Sequence, residues 1–149
     1  MIFLNLPSFE YKIKKENDKS YIFDSLRKRY IRLTPEEWVR QHFVAYLISH
    51  KGYPQGLIGN EITLSSNGRR RRCDTVIYDR HSQPVVIVEY KAPHIPLTQE
   101  TFNQIVRYNM ALKVKYLIVS NGLTHYCCAI DYNQMTYQFL QEIPEYTEL

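Results

Sequence analysis

With 149 residues the chain has the length of one domain, large enough to bury a core without disulfide or metal staples. Its 44% hydrophobic and 23% charged residues are ordinary globular values, and no apolar run approaches the ~20 residues of a spanning helix, which excludes a helical membrane protein. The net charge is a modest +4, but Arg69, Arg70, Arg71 and Arg72 form an unbroken basic run, either a solvated edge or a grip on a polyanion.

Cys73, Cys127 and Cys128 are odd in number and lack metal-binding spacing, and the opening Met-Ile-Phe-Leu-Asn-Leu-Pro is too short for a secretory signal. Both point to a reducing cytoplasm. Residues 8–33 alternate polar and apolar side chains around Asn17-Asp18, predicting a β-hairpin arm and a short strand near Tyr30 to Leu33. Its lysines and arginines fit either a charged edge that resists aggregation or an arm that faces nucleic acid.

Thr34-Pro-Glu-Glu37 opens a helix, with Thr34 as N-cap, Pro35 in the first turn and Glu37 closing a capping box. Val39, Phe43, Tyr46 and Leu47 share one face, and Gly52 ends the helix. At about 100° per residue, Glu36 falls roughly 40° from the centre of that face and Glu37 about 140° away. Glu36 therefore needs an account of its own: either it favours the helix N-terminus electrostatically or it points at the sheet rim as a third carboxylate. Glu37 has an account in capping and in pairing with Arg40.

Leu57 to Leu64 reads as a strand, and Asn67-Gly68 is a strong hairpin signal. Two further strands, around Thr75 to Tyr78 and Val85 to Val88, flank an Asp-Arg-His-Ser-Gln-Pro connection. If Asp79 pairs with Pro84, counting back puts Asp74 opposite Glu89 and Arg72 opposite Lys91. Neighbouring strands lie about 4.8 Å apart, and Glu89 and Lys91 point to one face about 6.6 Å from each other. Facing carboxylates repel by up to about 4 kcal/mol in a surface-like dielectric, so a cation or basic neighbour is expected. Magnesium, with its preference for hard oxygens and one or two carboxylates, suits such a pair. The plain alternative is a strand-end turn at Asp74 and a surface ion pair of Glu89 with Lys91.

After Lys91, Ala-Pro-His-Ile-Pro breaks the strand and Thr98 caps a second helix reaching about Leu112. Gln104 and Tyr108, four apart, lie on one flank of its apolar face. Tyr116 to Val119 is a buried-type strand, Asn121-Gly122 a turn, and strands follow over Tyr126 to Ile130 and Thr136 to Leu140. The acidic tail from Gln141 is expected to fray.

Taken together, Leu33-Thr-Pro-Glu-Glu-Trp-Val-Arg-Gln41, Asp74, Glu89-Tyr-Lys91 and Gln104-Ile-Val-Arg-Tyr108 resemble the N-terminal nuclease domain of type I restriction enzyme R subunits, in the PD-(D/E)xK superfamily. The last element is similar to the Gln-x-x-x-Tyr segment of RecB-type nucleases, and the likeness spans nearly the whole chain. It implies an α/β, restriction-endonuclease-like fold: a central mixed β-sheet flanked by helices over 34–145, preceded by the hairpin arm of 1–33. It also implies magnesium, with manganese as substitute, held by Asp74 and Glu89, Lys91 as the catalytic lysine, and a helix-borne carboxylate that is Glu36 or Glu37. Gln104 and Tyr108 would lie near DNA, with Arg69 to Arg72 as phosphate contacts. Cys73 stands where the motif has Pro, a position that supplies no ligand. No Gly-x-x-x-x-Gly-Lys-Ser/Thr loop is present, so a stand-alone relative without the motor is expected.

The function expected is magnesium-dependent hydrolysis of DNA phosphodiesters in the cytoplasm, alone or with other restriction or DNA-processing subunits. Two rivals keep the fold: a nucleic-acid-binding module that cleaves nothing, and a structural or interaction subunit.

Overall fold

Three antiparallel strands precede the first helix in the computed structural model, which describes residues 2–149. They are β1 (Ile13–Glu16), β2 (Lys19–Asp24) and β3 (Arg29–Arg32). Asn17 and Asp18, both at positive φ, make the tight turn between β1 and β2. The register aligns Ile13, Ile22 and Ile31 on one face, with Ile22 fully buried.

Helix α1 (Pro35–Lys51) starts where the Thr34 hydroxyl accepts the Glu37 N–H at 3.1 Å. It stops at Gly52, whose left-handed φ of 71° suits a residue without a Cβ. The expected capping box is not formed, because the Glu37 carboxylate turns inward to arginines instead of back to Thr34. Phe9 and Tyr11 pack edge-on against His42 and Trp38, so the arm covers a second side of this helix.

The main sheet runs β4 (Ile58–Ser66), β5 (Arg69–Tyr78), β6 (Pro84–Tyr90), β7 (Tyr116–Ser120), β8 (His125–Asp131) and β9 (Thr136–Leu140), in that spatial order. All neighbours are antiparallel except β6 and β7, which are joined through α2 (Gln99–Asn109) and a 3-10 turn over Met110–Leu112. Parallel strands need such a crossover. The sheet is thus mixed and flanked by helices. Val39, Phe43 and Leu47 of α1 pack with Val86, Val88 and Ile118 on one face, and Phe102 and Val106 of α2 with Val76, Ile87 and Leu117 on the other. Burial on both faces accounts for the unbroken apolar runs of β6 and β7.

Two expectations are corrected. The hairpin pairs Tyr78, not Asp79, with Pro84, through an irregularity between Ile77 and Tyr78. The tail does not fray: Ile143 is buried, Tyr53 donates to the Pro144 carbonyl at 2.9 Å, and Tyr146 donates to the Tyr78 carbonyl at 2.9 Å. The hydroxyls of buried Tyr53 and half-buried Tyr146 anchor it where its charges alone suggested solvent.

Candidate active site

Strands β5 and β6 pair Thr75 with Val88, and one step further brings Asp74 beside Glu89 at the end of the ladder. There the backbone pairing gives way to side chains. The Tyr90 N–H donates to Asp74 Oδ2 at 2.9 Å, and Arg40 Nη1 donates to the Asp74 carbonyl at 2.6 Å. Asp74 is therefore fixed at both its main chain and its carboxylate.

Glu89 is the most perturbed acid of the site. Burial, then the neighbouring Asp74 charge and a hydrogen bond shared with Asp74, push its carboxyl up to about 8, while Arg71 and Lys91 pull it the other way. Its Oε1 is buried and without a hydrogen-bond partner among the described residues, and Arg71 Nη2 stands 3.6 Å away. An orphaned buried carboxylate oxygen costs about 1–3 kcal/mol or more, so a cation at this spot would relieve it. Asp74 and Glu89 are a pair rather than a cage: among the described residues, no group of three or more His, Cys, Asp or Glu side chains is placed to hold a metal. Magnesium commonly takes one or two carboxylates and completes its shell with water and phosphate, so the donor set fits it. Lys91 follows directly on β6, half-buried, its N–H donating to the Ser120 carbonyl at 2.9 Å, and its charge acts on Glu89.

Of the two helix acids, Glu36 is exposed and Glu37 only 4% exposed, the reverse of the angular expectation. The reason is the arm. With α1 covered on two sides, its buried sector reaches Glu37, where Arg27 donates to both carboxylate oxygens at 3.0 and 2.9 Å. Arg40 Nη2 and Gln41 Nε2 add bonds at 3.1 and 2.9 Å. Glu37 thus serves to hold Arg40, which in turn holds the Asp74 main chain.

Residues that the sequence did not single out complete this support. Glu61 accepts from Arg40 Nη2 at 2.7 Å and from Arg72 Nε at 2.6 Å. It sits in β4 at a left-handed φ of 58°, a conformation costing a non-glycine residue about 1–2 kcal/mol. The two arginines hold it there. No local pattern announces such a residue, since its partners lie on α1 and β5.

The basic run divides by position. Arg69, Arg70 and Arg72 are exposed, whereas Arg71 is half-buried, its Nε donating to Asn109 Oδ1 at 3.1 Å and its guanidinium lying over the Tyr108 ring. Arg69, Arg70, Arg71, Gln104, Arg107 and Tyr108 line a cleft of about 540 Å³. Gln104 and Tyr108 are exposed on it, Tyr108 by 63%. Arg107 and Asn109 were not singled out in the sequence, although both lie in or beside the Gln-x-x-x-Tyr segment.

A six-stranded mixed sheet flanked by helices, with two carboxylates at one rim, makes this an α/β chain, and its fold matches that of a solved structure. That structure is a fragment of a putative HsdR subunit of a type I restriction enzyme from Vibrio vulnificus, similar at 21% identity with a TM-score of 0.52, over 78% of this chain and 25% of the other. The chain belongs to the family described as type I restriction enzyme R protein N terminus, whose model matches residues 35–144. It spans about a quarter of the solved relative's length. No curated protein matches it.

Proposed function

We propose that this domain hydrolyses DNA phosphodiester bonds with magnesium held by Asp74 and Glu89, manganese serving as substitute. The observation that carries the proposal is the side-by-side placement of these carboxylates, with Glu89 Oε1 buried, facing Arg71 at 3.6 Å and without a hydrogen-bond partner among the described residues. When bound, the cation supplies charge to polarise a phosphate and acidify a water. The chain's own residues do the rest. Asp74 is positioned by Tyr90 and Arg40, so its carboxylate needs little reorganisation. Lys91, beside Glu89, takes the catalytic lysine's place, orienting or deprotonating the attacking water or countering charge on the phosphate. Arg69, Arg70, Arg71, Gln104, Arg107 and Tyr108 offer a cleft of positive charge and hydrogen-bond donors for the DNA backbone. Cytoplasmic location and work alongside other restriction subunits belong to the same proposal.

One observation favours a second reading, a DNA-binding module without turnover. Glu37 is engaged by Arg27, Arg40 and Gln41 and Glu36 is exposed, and among the described residues no third carboxylate is grouped with the pair. Incubating plasmid and linear DNA with the protein in magnesium or in EDTA separates the two. Magnesium-dependent nicking, lost in Asp74→Asn, supports hydrolysis; binding with no cleavage of either DNA supports the module.

A further inference from the structure

Residues 1–33 contain eight Lys and Arg against four Asp and Glu, an excess equal to the +4 of the whole chain. Residues 34–149 carry eleven of each sign and are balanced. The family match begins at residue 35, so the excess lies on a segment that the family likeness does not describe.

The strand register shows where this charge points. Ile13, Ile22 and Ile31 occupy one face of the three-stranded sheet, and by alternation Lys14, Glu16, Lys19, Tyr21, Phe23, Tyr30 and Arg32 occupy the other. A sheet with one face packed on the core ordinarily presents polar residues on its free face. This one presents three rings among its cations. Lys14 Nζ lies 4.3 Å from the Tyr30 ring centre, and Phe23 and Tyr30 meet edge-on at 5.3 Å. Tyr30 remains 37% exposed. The row continues through Lys12, whose carbonyl accepts the Phe23 N–H, into a cleft of about 890 Å³ against α1 that is also lined by Phe9 and Tyr11. Tyr11 is 46% exposed.

Edge protection accounts for the lysines of β1 and the arginines of β3, but leaves the exposed Tyr30 ring unexplained. Cations set around an exposed ring match a polyanion that carries planar groups. We propose that this face of the arm binds single-stranded nucleic acid, with Lys12, Lys14, Lys19 and Arg32 following the phosphates and Tyr30 stacking on a base. A duplex keeps its bases stacked on one another and gains nothing from free rings. The inference stands apart from the hydrolysis proposal, since it uses neither Asp74 nor Glu89.

Fluorescence anisotropy in EDTA tests it, with labelled oligothymidylate and oligouridylate strands of about 15 nucleotides and a duplex of the same length. The wild-type protein is expected to bind a single strand, and Tyr30→Ala to weaken that binding roughly 5- to 100-fold while Tyr30→Phe retains it and duplex affinity is unchanged. Lys12→Glu with Lys19→Glu should weaken it further and reduce the salt slope by about 0.7 for each phosphate no longer neutralised. The two strand types tell DNA from RNA. Asp74→Asn should bind like wild type, so loss of hydrolysis and loss of this surface read out separately. Absence of single-strand binding by the wild type, or wild-type affinity in both arm variants, overturns the inference. An equal loss on duplex from Tyr30→Ala overturns its single-strand preference.

Discussion

The Tyr90 N–H donates to Asp74 Oδ2 at 2.9 Å, so the residue that follows Glu89 in the chain orients the carboxylate that Glu89 faces. Asp74→Asn keeps the size and can keep that bond through its amide oxygen, but removes the charge. The wild-type melting temperature should rise with magnesium or manganese concentration, as expected when a ligand binds only the folded state, and the variant's should stay flat. Differential scanning fluorimetry checks this; an unchanged metal response in Asp74→Asn would place the ion elsewhere.

Lys91→Ala leaves both carboxylates in place. Cleavage should fall by about 100- to 10,000-fold, mainly in kcat, with metal binding and most DNA affinity retained. Rates must be compared at saturating magnesium, because removing the lysine also raises the cost of charging Glu89. Full activity in the variant would reject a catalytic role for Lys91.

Magnesium and protons compete at Glu89. Its carboxyl, raised to about 8 from an ordinary value near 4.5 by burial and by Asp74, holds its proton more tightly than an ordinary glutamate. A cation must displace that proton, so magnesium affinity should increase as pH rises towards about 8 and level off above it. The metal-free fold carries the complementary sign: stability from this group is complete below the unfolded value near 4.5 and is lost as pH rises through about 8. Titration calorimetry at several pH values, in buffers of different ionisation heat, measures both affinity and protons released. An affinity independent of pH over this range contradicts the assignment.

Arg40 is 7% exposed and joins α1 to both β4 and β5 through Glu37, Glu61 and the Asp74 carbonyl. Arg40→Met should cost on the order of 3 kcal/mol, since it strips the buried Glu37 carboxylate, and half-buried Glu61, of a partner. Urea denaturation followed by circular dichroism gives the number. A loss under about 1 kcal/mol would mean that Arg27 and Gln41 alone satisfy Glu37.

If Arg70 and Arg71 bind duplex phosphates from the cleft, replacing both by Ala should lower the slope of log affinity against log salt by about 0.9 for each phosphate released. Wild-type slope in the double variant would leave the run as a solvated edge.

Much of the fold was legible because its signals are local. Thr34-Pro35 and Gly52 bound α1, Asn67-Gly68 bounds the β4–β5 hairpin, and the apolar runs of β6 and β7 mark strands covered on both sides. Counting along β5 and β6 brought Asp74 to Glu89 even though it began from a wrong pair. The irregularity lies on the hairpin side of Ile77, beyond the stretch that sets the site. What stayed hidden is non-local. The inward turn of Glu37 depends on the arm covering α1, and the roles of Arg40 and Glu61 depend on each other across elements. The exposed position of Glu36 follows from the same second packing surface, which a single-face helix projection does not contain.

Behind the site, Tyr90 donates its hydroxyl to Thr75, Thr75 donates to Asn60, and Asn60 donates to Asp24 of the arm. Every proton in this series points the same way, towards a carboxylate. Three of these residues lie within 35–144, where the family model matches, and Asp24 lies outside it. Inheritance should follow this division. In descendants that lose or replace the arm, position 60 should change along with it, while Thr75 and Tyr90 can persist as a pair. Substitutions at 24 and 60 should thus appear together across lineages, a covariation joining the arm to the domain behind it.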